Sequence, residues 1–567
     1  MRTASLSPVL TDRLTPRTFR WNTLAYSLIV LSVTSRVVQA QPVISYAAIT
    51  NAASYYSEGD LLGPEETLVG EIAQGSMFVI SGRKIGPAEA QRAQDLPLPT
   101  ELAGTSVRLS VGNTTRSAVV IYASARLVAG ILPTDTPPGG GSFSVTYNGQ
   151  TSAPSRVRVV RRAFGIFTQG GQGSGPALVQ NVGPEGDHRL NTFTDAARPG
   201  QVMVLWGTGL GRGLSEPAVR PARTRPPADP NAGLEVLVGN KTARTLYAGR
   251  SGCCAGMDQI VFEAPAGVEG CFVPVAVRFG DGDMSRNFAT FSIAAQGGTC
   301  SDPHNLSASE VERLQAGEVL SQGSIVLRGY FGRSLHVSAA FSRVNPPAYH
   351  WKGPLPPFGS CVVTRSALHP FPFPLVSGRT GGASQGRNAN AGPVLNLRSP
   401  QGAAQVPQVP GMFYQQPWPG TAPWEGGEYA VDNGAGGADV GPFQTTILLP
   451  PDPFRWSNLP DPNQGHEISS TQDMTITWSG GDSTGEYVVI FGDPGNGSSF
   501  TCTERADKGS FSVPAGVLQS VYRGLALPRY FYVSVAARSL PRRFQARGLD
   551  RGELLYEVDY STNFFLK

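Results

Sequence analysis

Residues 75–87 read GSMFVISGRKIGP, and residues 200–212 read GQVMVLWGTGLGR. Gly75, Gly82 and Gly86 stand at a constant offset of 125 from Gly200, Gly207 and Gly211, with an apolar run between the first two glycines each time. The agreement extends outward. Val111-Gly112-Asn113 matches Val238-Gly239-Asn240, Tyr122 matches Tyr247, Pro133 matches Pro265, and Gly141 with Phe143 matches Gly270 with Phe272. Offsets between 125 and 132 are what small loop insertions in a duplicated unit produce, so the chain reads as two copies of one domain.

Inside each copy the apolar residues recur at every second position. Val107, Leu109 and Val111 alternate with polar neighbours, as do Phe143, Val145 and Tyr147, and the second copy repeats the pattern with Val273, Val275, Val277 and Phe279. A period of two broken by turn residues predicts half-buried antiparallel strands, and about seven of them in about 110 residues is the count of an immunoglobulin-like sandwich. Composition agrees, with 68 glycines and 47 prolines in 567 residues and 16% charged residues. Helical patterns are scarce; the clearest is SASEVERLQA, residues 307–316. A chain this long exceeds one core.

The glycine, apolar strand, glycine and Gly-x-Gly-x-Gly-like turn of VLWGTGLG resemble IPT/TIG domains, which have an immunoglobulin-like fold. NAASY (51–55), LPLPTELAGTSV, AFGIFTQGGQGSGPALVQN, PGQVMVLWGTGLG and AGMDQIVFEAP, in that order, resemble tandem domains of secreted acidobacterial (Solibacter-type) proteins across residues 43–300. GAGGADVGPF, TWSGGD and FTCTERADKGSFSVPAGVL are similar to a C-terminal module of the same proteins. The resemblance implies the fold and an exported state, and it brings no catalytic residues. The expected organisation is therefore all-β: a signal peptide at 1–40, a first IPT/TIG-like sandwich at 41–162, a second at 163–300, and a loop-rich β domain at 303–567. Strand patterns in TITW (475–478), YVVIF (487–491) and YFYVSV (530–535) support the last, although residues 345–424 are rich in Pro, Gly and aromatics.

The first 40 residues carry five arginines, an apolar run from Leu24 to Val33, and Val38-Gln39-Ala40 ahead of Gln41. That order is a secretory signal, and the run is short for a membrane span; an uncleaved N-terminal anchor is the competing reading. The net charge of +4 is confined to this segment, because the rest of the chain has 41 basic and 41 acidic residues. A nucleic-acid groove is not favoured by that balance.

Cys253, Cys254, Cys271, Cys300, Cys361 and Cys502 make an even count in an exported chain, which predicts disulfides. Adjacent cysteines rarely pair, so one of Cys253 and Cys254 is expected to join Cys271 and the other Cys300, with Cys361 joined to Cys502. Loops of such sizes contribute about 3 to 5 kcal/mol each in the chain-entropy model.

No catalytic constellation emerges. Of the two GxSxG matches, Ser384 lies in GRTGGASQGRNANAGP, without a strand before it or a helix after it, and Ser483 sits between two strands, where a hairpin turn accounts for its glycines. HExxH is absent and the six histidines are scattered. The glycines at 207, 209 and 211 miss the dinucleotide register because Arg212 stands where the third should be. Calcium is the one cofactor the residues suggest, from Asp281 and Asp283 in FGDGDMS or Asp493 in GDPGNGS, and aspartates favour such turns unaided. For carbohydrate, the aromatic candidates are Trp351, Tyr414, Trp418 and Trp424, set against a role filling a loop-rich core. The expected protein is a secreted, non-catalytic binding, adhesion or structural protein. The alternative is a carbohydrate-binding or carbohydrate-processing exoprotein with its site in the aromatic-rich C-terminal region. An extracellular protein or polysaccharide is the expected partner, with no nucleic acid and no membrane span after signal cleavage.

Overall fold

The computed structural model describes residues 41–55, 58–60, 67–171, 173–211, 233–302, 306–331, 334–344, 355–365, 387–409, 413–417, 423–461, 466–495, 498–522 and 530–566. The expected signal segment lies outside them. The period-two stretches pair as strands, and the fold is all-β with immunoglobulin-like sandwiches in tandem.

In the first copy one sheet runs in the order Val43–Asn51, Met77–Arg83, Leu127–Ile131, Val119–Ala123, Gln91–Arg92. The facing sheet is built on Thr67–Ala73, Ser155–Val160, Gly139–Tyr147 and Thr105–Val111. Val107, Leu109, Phe143 and Val145, the residues of the alternating pattern, point inward with Phe78 and Ile80 to form the core. In the second copy Val202–Thr208 lies between Val179–Val182 and Asp258–Glu263, and faces a sheet of Lys241–Ala243, Glu235–Val238, Gly270–Arg278 and Ala289–Ile293.

The duplication is visible in the strand register. Gly82 pairs with Ile44 in the first copy and Gly207 with Ile166 in the second. Met77 faces Ile131 where Val202 faces Glu263. The register slips by one residue at Ile121 in the first copy and at Leu246 in the second, the same repeat position. A bulge inserts an unpaired residue and twists its strand, so its repetition marks a copied backbone feature. One detail of the alignment changes: Gly270, at φ 145° and opposite Ile293, has its counterpart in Gly139, at φ 140° and opposite Val159, rather than in Gly141.

Helix Ala308–Gln315 follows, with Ser307 accepting the Glu310 N–H and the Glu310 carboxylate accepting the Ser307 N–H at 2.8 Å. Its Val311 and Leu314 pack with Phe193, Phe272 and the Cys271–Cys300 pair. Beyond it, a long sheet runs from Ser360–Arg365 through Ser498–Arg505, Glu486–Asp493, Tyr530–Ser539, Arg551–Leu566, Leu320–Tyr330 and Ser334–Val344 to Gln444–Leu449. A three-stranded sheet and helix Ala515–Tyr522 accompany it. Their core is continuous with Ala276, Met284 and Phe288 of the second sandwich, and Gln41–Lys567 forms one compact unit.

Two of the expected disulfides are corrected. Cys271 pairs with Cys300, and Cys253 pairs with its neighbour Cys254; Cys361 pairs with Cys502 as expected. The reason is topological. Cys253 and Cys254 lie in the loop between Thr245–Arg250 and Asp258–Glu263, in one sheet, while Cys271 belongs to the other. Cys300 takes Cys271 as its partner at a Cα separation of 5.3 Å, which leaves the two adjacent cysteines of the loop to each other.

Candidate ligand-binding faces

Gly207, Gly209 and Gly211 of the repeated stretch are packed against ring and backbone, while Gly200 borders an open concavity with Arg189, Asp195 and Arg198. A Cβ on Gly207 would overlap the Phe164 ring, and Cβ atoms on Gly209 and Gly211 would overlap the carbonyl oxygens of Ala163 and Arg161. These glycines, two of them at φ 105° and 100°, form a notch that seats the segment joining the two sandwiches. Asp258 fixes the turn by accepting the N–H groups of Gly209 at 2.7 Å and Leu210 at 2.8 Å, and it pairs with Arg250 at 2.9 Å. Burial pushes the Asp258 carboxyl above its ordinary value, while Arg250 and the two N–H groups pull the other way.

Asn51, from the NAASY stretch, donates to the carbonyls of Ala163 at 3.0 Å and Thr208 at 3.2 Å, and the Met77 N–H donates to the Thr208 hydroxyl at 2.9 Å. Met77, Val79, Ala129 and Ile131 of the first copy pack on Trp206, Tyr247, Met257 and Val261 of the second, with Cys254 at the margin. The two copies are thus joined by a buried seam in which Asn51 and Thr208 are hydrogen-bonded.

The residues nominated from the sequence take different positions. Tyr414 is fully buried, with its hydroxyl donating to the Gly392 carbonyl at 2.5 Å. Trp424 is buried against Gly329 and Tyr556, and its indole N–H donates to the Pro450 carbonyl at 2.9 Å. Both fill the core, so neither presents a ring for stacking. Trp351 and Trp418 lie outside the described residues. Asp281 is ion-paired with Arg162 and Asp283 with Arg286, while Asp493 accepts the Gly495 N–H at 2.6 Å. Among the described residues no three His, Cys, Asp or Glu side chains gather as a metal site. Ser483 occupies a turn that Asp482 holds by accepting the Thr484 N–H at 2.9 Å and hydroxyl at 2.7 Å. Ser384 lies outside the described residues.

Two other concavities were not anticipated. A crevice of about 220 Å³ is lined by Asn240, Glu269, Cys271, Asp302, Pro357 and Phe358. A broader, open groove of about 870 Å³ crosses Val394–Ser399, Gly402–Val409 and Gly427–Asp432, where Asn396 donates to Asp432 at 2.7 Å and Arg398 pairs with it at 3.3 Å.

The outer side of the long sheet differs from both. Phe531, Val533, Val535 and Ala537 point into the core, so Tyr532, Ser534 and Arg538 face outward. The register places Asp493, Tyr532 and Asn563 side by side on this face. Phe491, Ser534 and Ser561 form the next row, and Asp559 and Tyr330 belong to the one after. Tyr330, Tyr532 and Phe565 remain 37%, 38% and 39% exposed. Arg328 and Arg538 both pair with the buried Glu557. Ser534 donates to Asp559 at 2.6 Å, and burial pushes the Asp559 carboxyl above its ordinary value.

No family model and no curated relative matches the chain. Similar solved structures include a tetra-tandem repeat from the extending region of a large adhesion protein, with 9% identity over 92% of this chain and 99% of that one, at a TM-score of 0.13. A Bacteroides ovatus protein of a mixed-linkage glucan utilization locus, solved with a heptasaccharide, shares 11% identity over 80% and 89% at 0.13. The FN1–FN3 domains of chicken CNTN1 share 10% over 65% and 96% at 0.15. At these scores the likeness says nothing about ligands.

Proposed function

We propose that this is an extracytoplasmic, non-catalytic binding or adhesion protein whose tandem sandwiches form a stiff support for a C-terminal binding region. The observation that carries the proposal is the buried seam between the two copies, with Asn51 and Met77 of the first hydrogen-bonded to Ala163 and Thr208 of the joining segment and the second. A seam of this kind suits a scaffold that holds a binding surface at a fixed place. Complete cysteine pairing supports an oxidising compartment, and no helix among the described residues is long and apolar enough to cross a membrane. Cell fractionation with thiol alkylation tests it. The protein is expected outside the cytoplasm with no alkylatable cysteine, and a cytoplasmic pool with six free thiols overturns the reading.

The second reading, carbohydrate binding, is favoured by the outer face of the long sheet, where exposed aromatic rings lie among hydroxyl, amide and carboxylate groups. Retention on immobilised polysaccharides tests it.

A further inference from the structure

We propose that the outer face of Glu486–Asp493, Tyr530–Ser539, Arg551–Leu566 and Leu320–Tyr330 binds a neutral, hydroxyl-rich glycan chain, with Tyr532, Phe565 and Tyr330 as its stacking surfaces. The proposal rests on the carbohydrate reading above and assigns it residues.

Strand alternation puts all three rings on one side of one sheet, each more than a third exposed, while the alternate residues Phe531, Val533 and Phe564 are buried. A flat ring left in water covers the apolar C–H face of a sugar at little entropic cost, because Tyr and Phe have only two side-chain torsions to fix. Two of the rings are already oriented. Phe491 meets Tyr532 at 6.4 Å between centroids, and Tyr330 stands T-shaped to His336 at 4.9 Å, with the Arg328 guanidinium 5.9 Å from the Tyr330 centroid. Prior orientation removes part of the ordering cost of binding.

The polar groups between the rings fit the same ligand. Asp493 and Asn563 flank Tyr532 in its row, and Ser534 and Ser561 lie in the next, so acceptors and donors alternate with the rings. Tyr330 faces Asp559 and Tyr532 faces Asn563, four residues apart on one strand, which separates the two rings by about 13 Å along the strand and about 10 Å across it. An extended chain of several sugar units spans that diagonal, whereas a monosaccharide does not.

Charge selects against an acidic ligand. Arg328 and Arg538 are both committed to Glu557, and Asp493 and Asp559 stand on the same face, so a polyanion meets carboxylates with no uncommitted cation among these residues. Neutral hydroxyls can donate to those carboxylates and suffer no such repulsion.

The test is retardation of the full-length oxidised protein in native gels containing xylan, mixed-linkage β-glucan, starch or the polyanion alginate. Variants are Tyr532→Ala, Phe565→Ala and Tyr330→Ala, with Leu448→Ala, at an exposed position on Gln444–Leu449, as the control. The expected result is retardation by a neutral polysaccharide that weakens about tenfold in Y532A and F565A, stays unchanged in L448A, and comes with unaltered melting. Retardation that persists undiminished in all three aromatic variants overturns the assignment of this face and leaves the carbohydrate reading standing. Absence of retardation in any gel overturns both, and retardation by alginate alone overturns the neutral ligand. If the aromatic variants change sedimentation and not retardation, the face belongs to a second copy of the chain, and the proposal falls.

Discussion

Arg286 of the second sandwich donates to the carboxylate of Glu71 in the first at 2.9 Å, with only 7% and 9% of the two side chains exposed. Arg286 is shared with Asp283 at 2.7 Å, and its backbone N–H donates to the carbonyl of Phe164 in the joining segment at 2.7 Å. One residue therefore touches both copies and the segment between them.

Removing Glu71 leaves a buried guanidinium with one carboxylate in place of two. Glu71→Ala is expected to destabilise the protein by about 3 kcal/mol, less than a complete loss of pairing because Asp283 remains. Chemical denaturation measures it, and a change under about 0.5 kcal/mol contradicts the buried pairing.

The glycine notch makes a sharper distinction. Gly209→Ala combines φ 105° with overlap on the Ala163 carbonyl, whereas Gly112→Ala, at φ 54°, meets nothing within 4 Å. The first is expected to cost upward of about 3 kcal/mol and the second about 1 kcal/mol. Urea midpoints of the two variants, compared at equal m-value, give the difference.

The disulfides should contribute unequally. Cys361–Cys502 spans 141 residues of chain and Cys253–Cys254 spans one. In the loop-entropy account, replacing the first pair by serines costs about 4 to 5 kcal/mol, while replacing the second removes little by this route. Thermal melts of the two double variants are expected to differ widely, and equal losses contradict the assignment.

Glu486 carries the pH prediction. It is buried; one carboxyl oxygen accepts the Tyr556 hydroxyl at 2.6 Å and the other has no hydrogen-bond partner among the described residues. Burial raises its pKa above 4.5, opposed by the Tyr556 hydrogen bond. A carboxyl whose folded pKa is raised favours the folded state most fully below its unfolded value, and that contribution is lost as pH rises through the folded value. Wild type should therefore lose stability relative to Glu486→Gln between pH 4 and pH 8. Melting temperatures of both proteins across that range check it, and parallel curves refute it.

Much of this fold could be read from residue spacing. The offset of 125 between Gly82 and Gly207 returned as identical strand pairing, and Ser307 with Glu310 capped the helix where the pattern placed it. Spacing along the chain reports what neighbours in sequence do, and it is silent about which sheet a loop lands on. That is why spacing alone pairs Cys253 and Cys254 with Cys271 and Cys300, where the fold joins Cys253 to Cys254 and Cys271 to Cys300. The same limit explains the aromatic residues: Tyr414 and Trp424 stand in a loop-like composition yet are covered by strands distant in sequence. A usable signal was present in YFYVSV, where Phe531, Val533 and Val535 form the apolar set and Tyr532 belongs to the amphipathic one. Which set faces water depended on the strands that pair beside it.

Cys361 and Cys502 join adjacent strands, Ser360–Arg365 and Ser498–Arg505, directly across from one another. A tensile load applied to the two ends of the chain passes through that covalent link and bypasses the residues between the two cysteines. The stretch bypassed includes Asp493 and Phe491, so part of the aromatic face sits on a segment that pulling cannot unravel until the link itself is reduced.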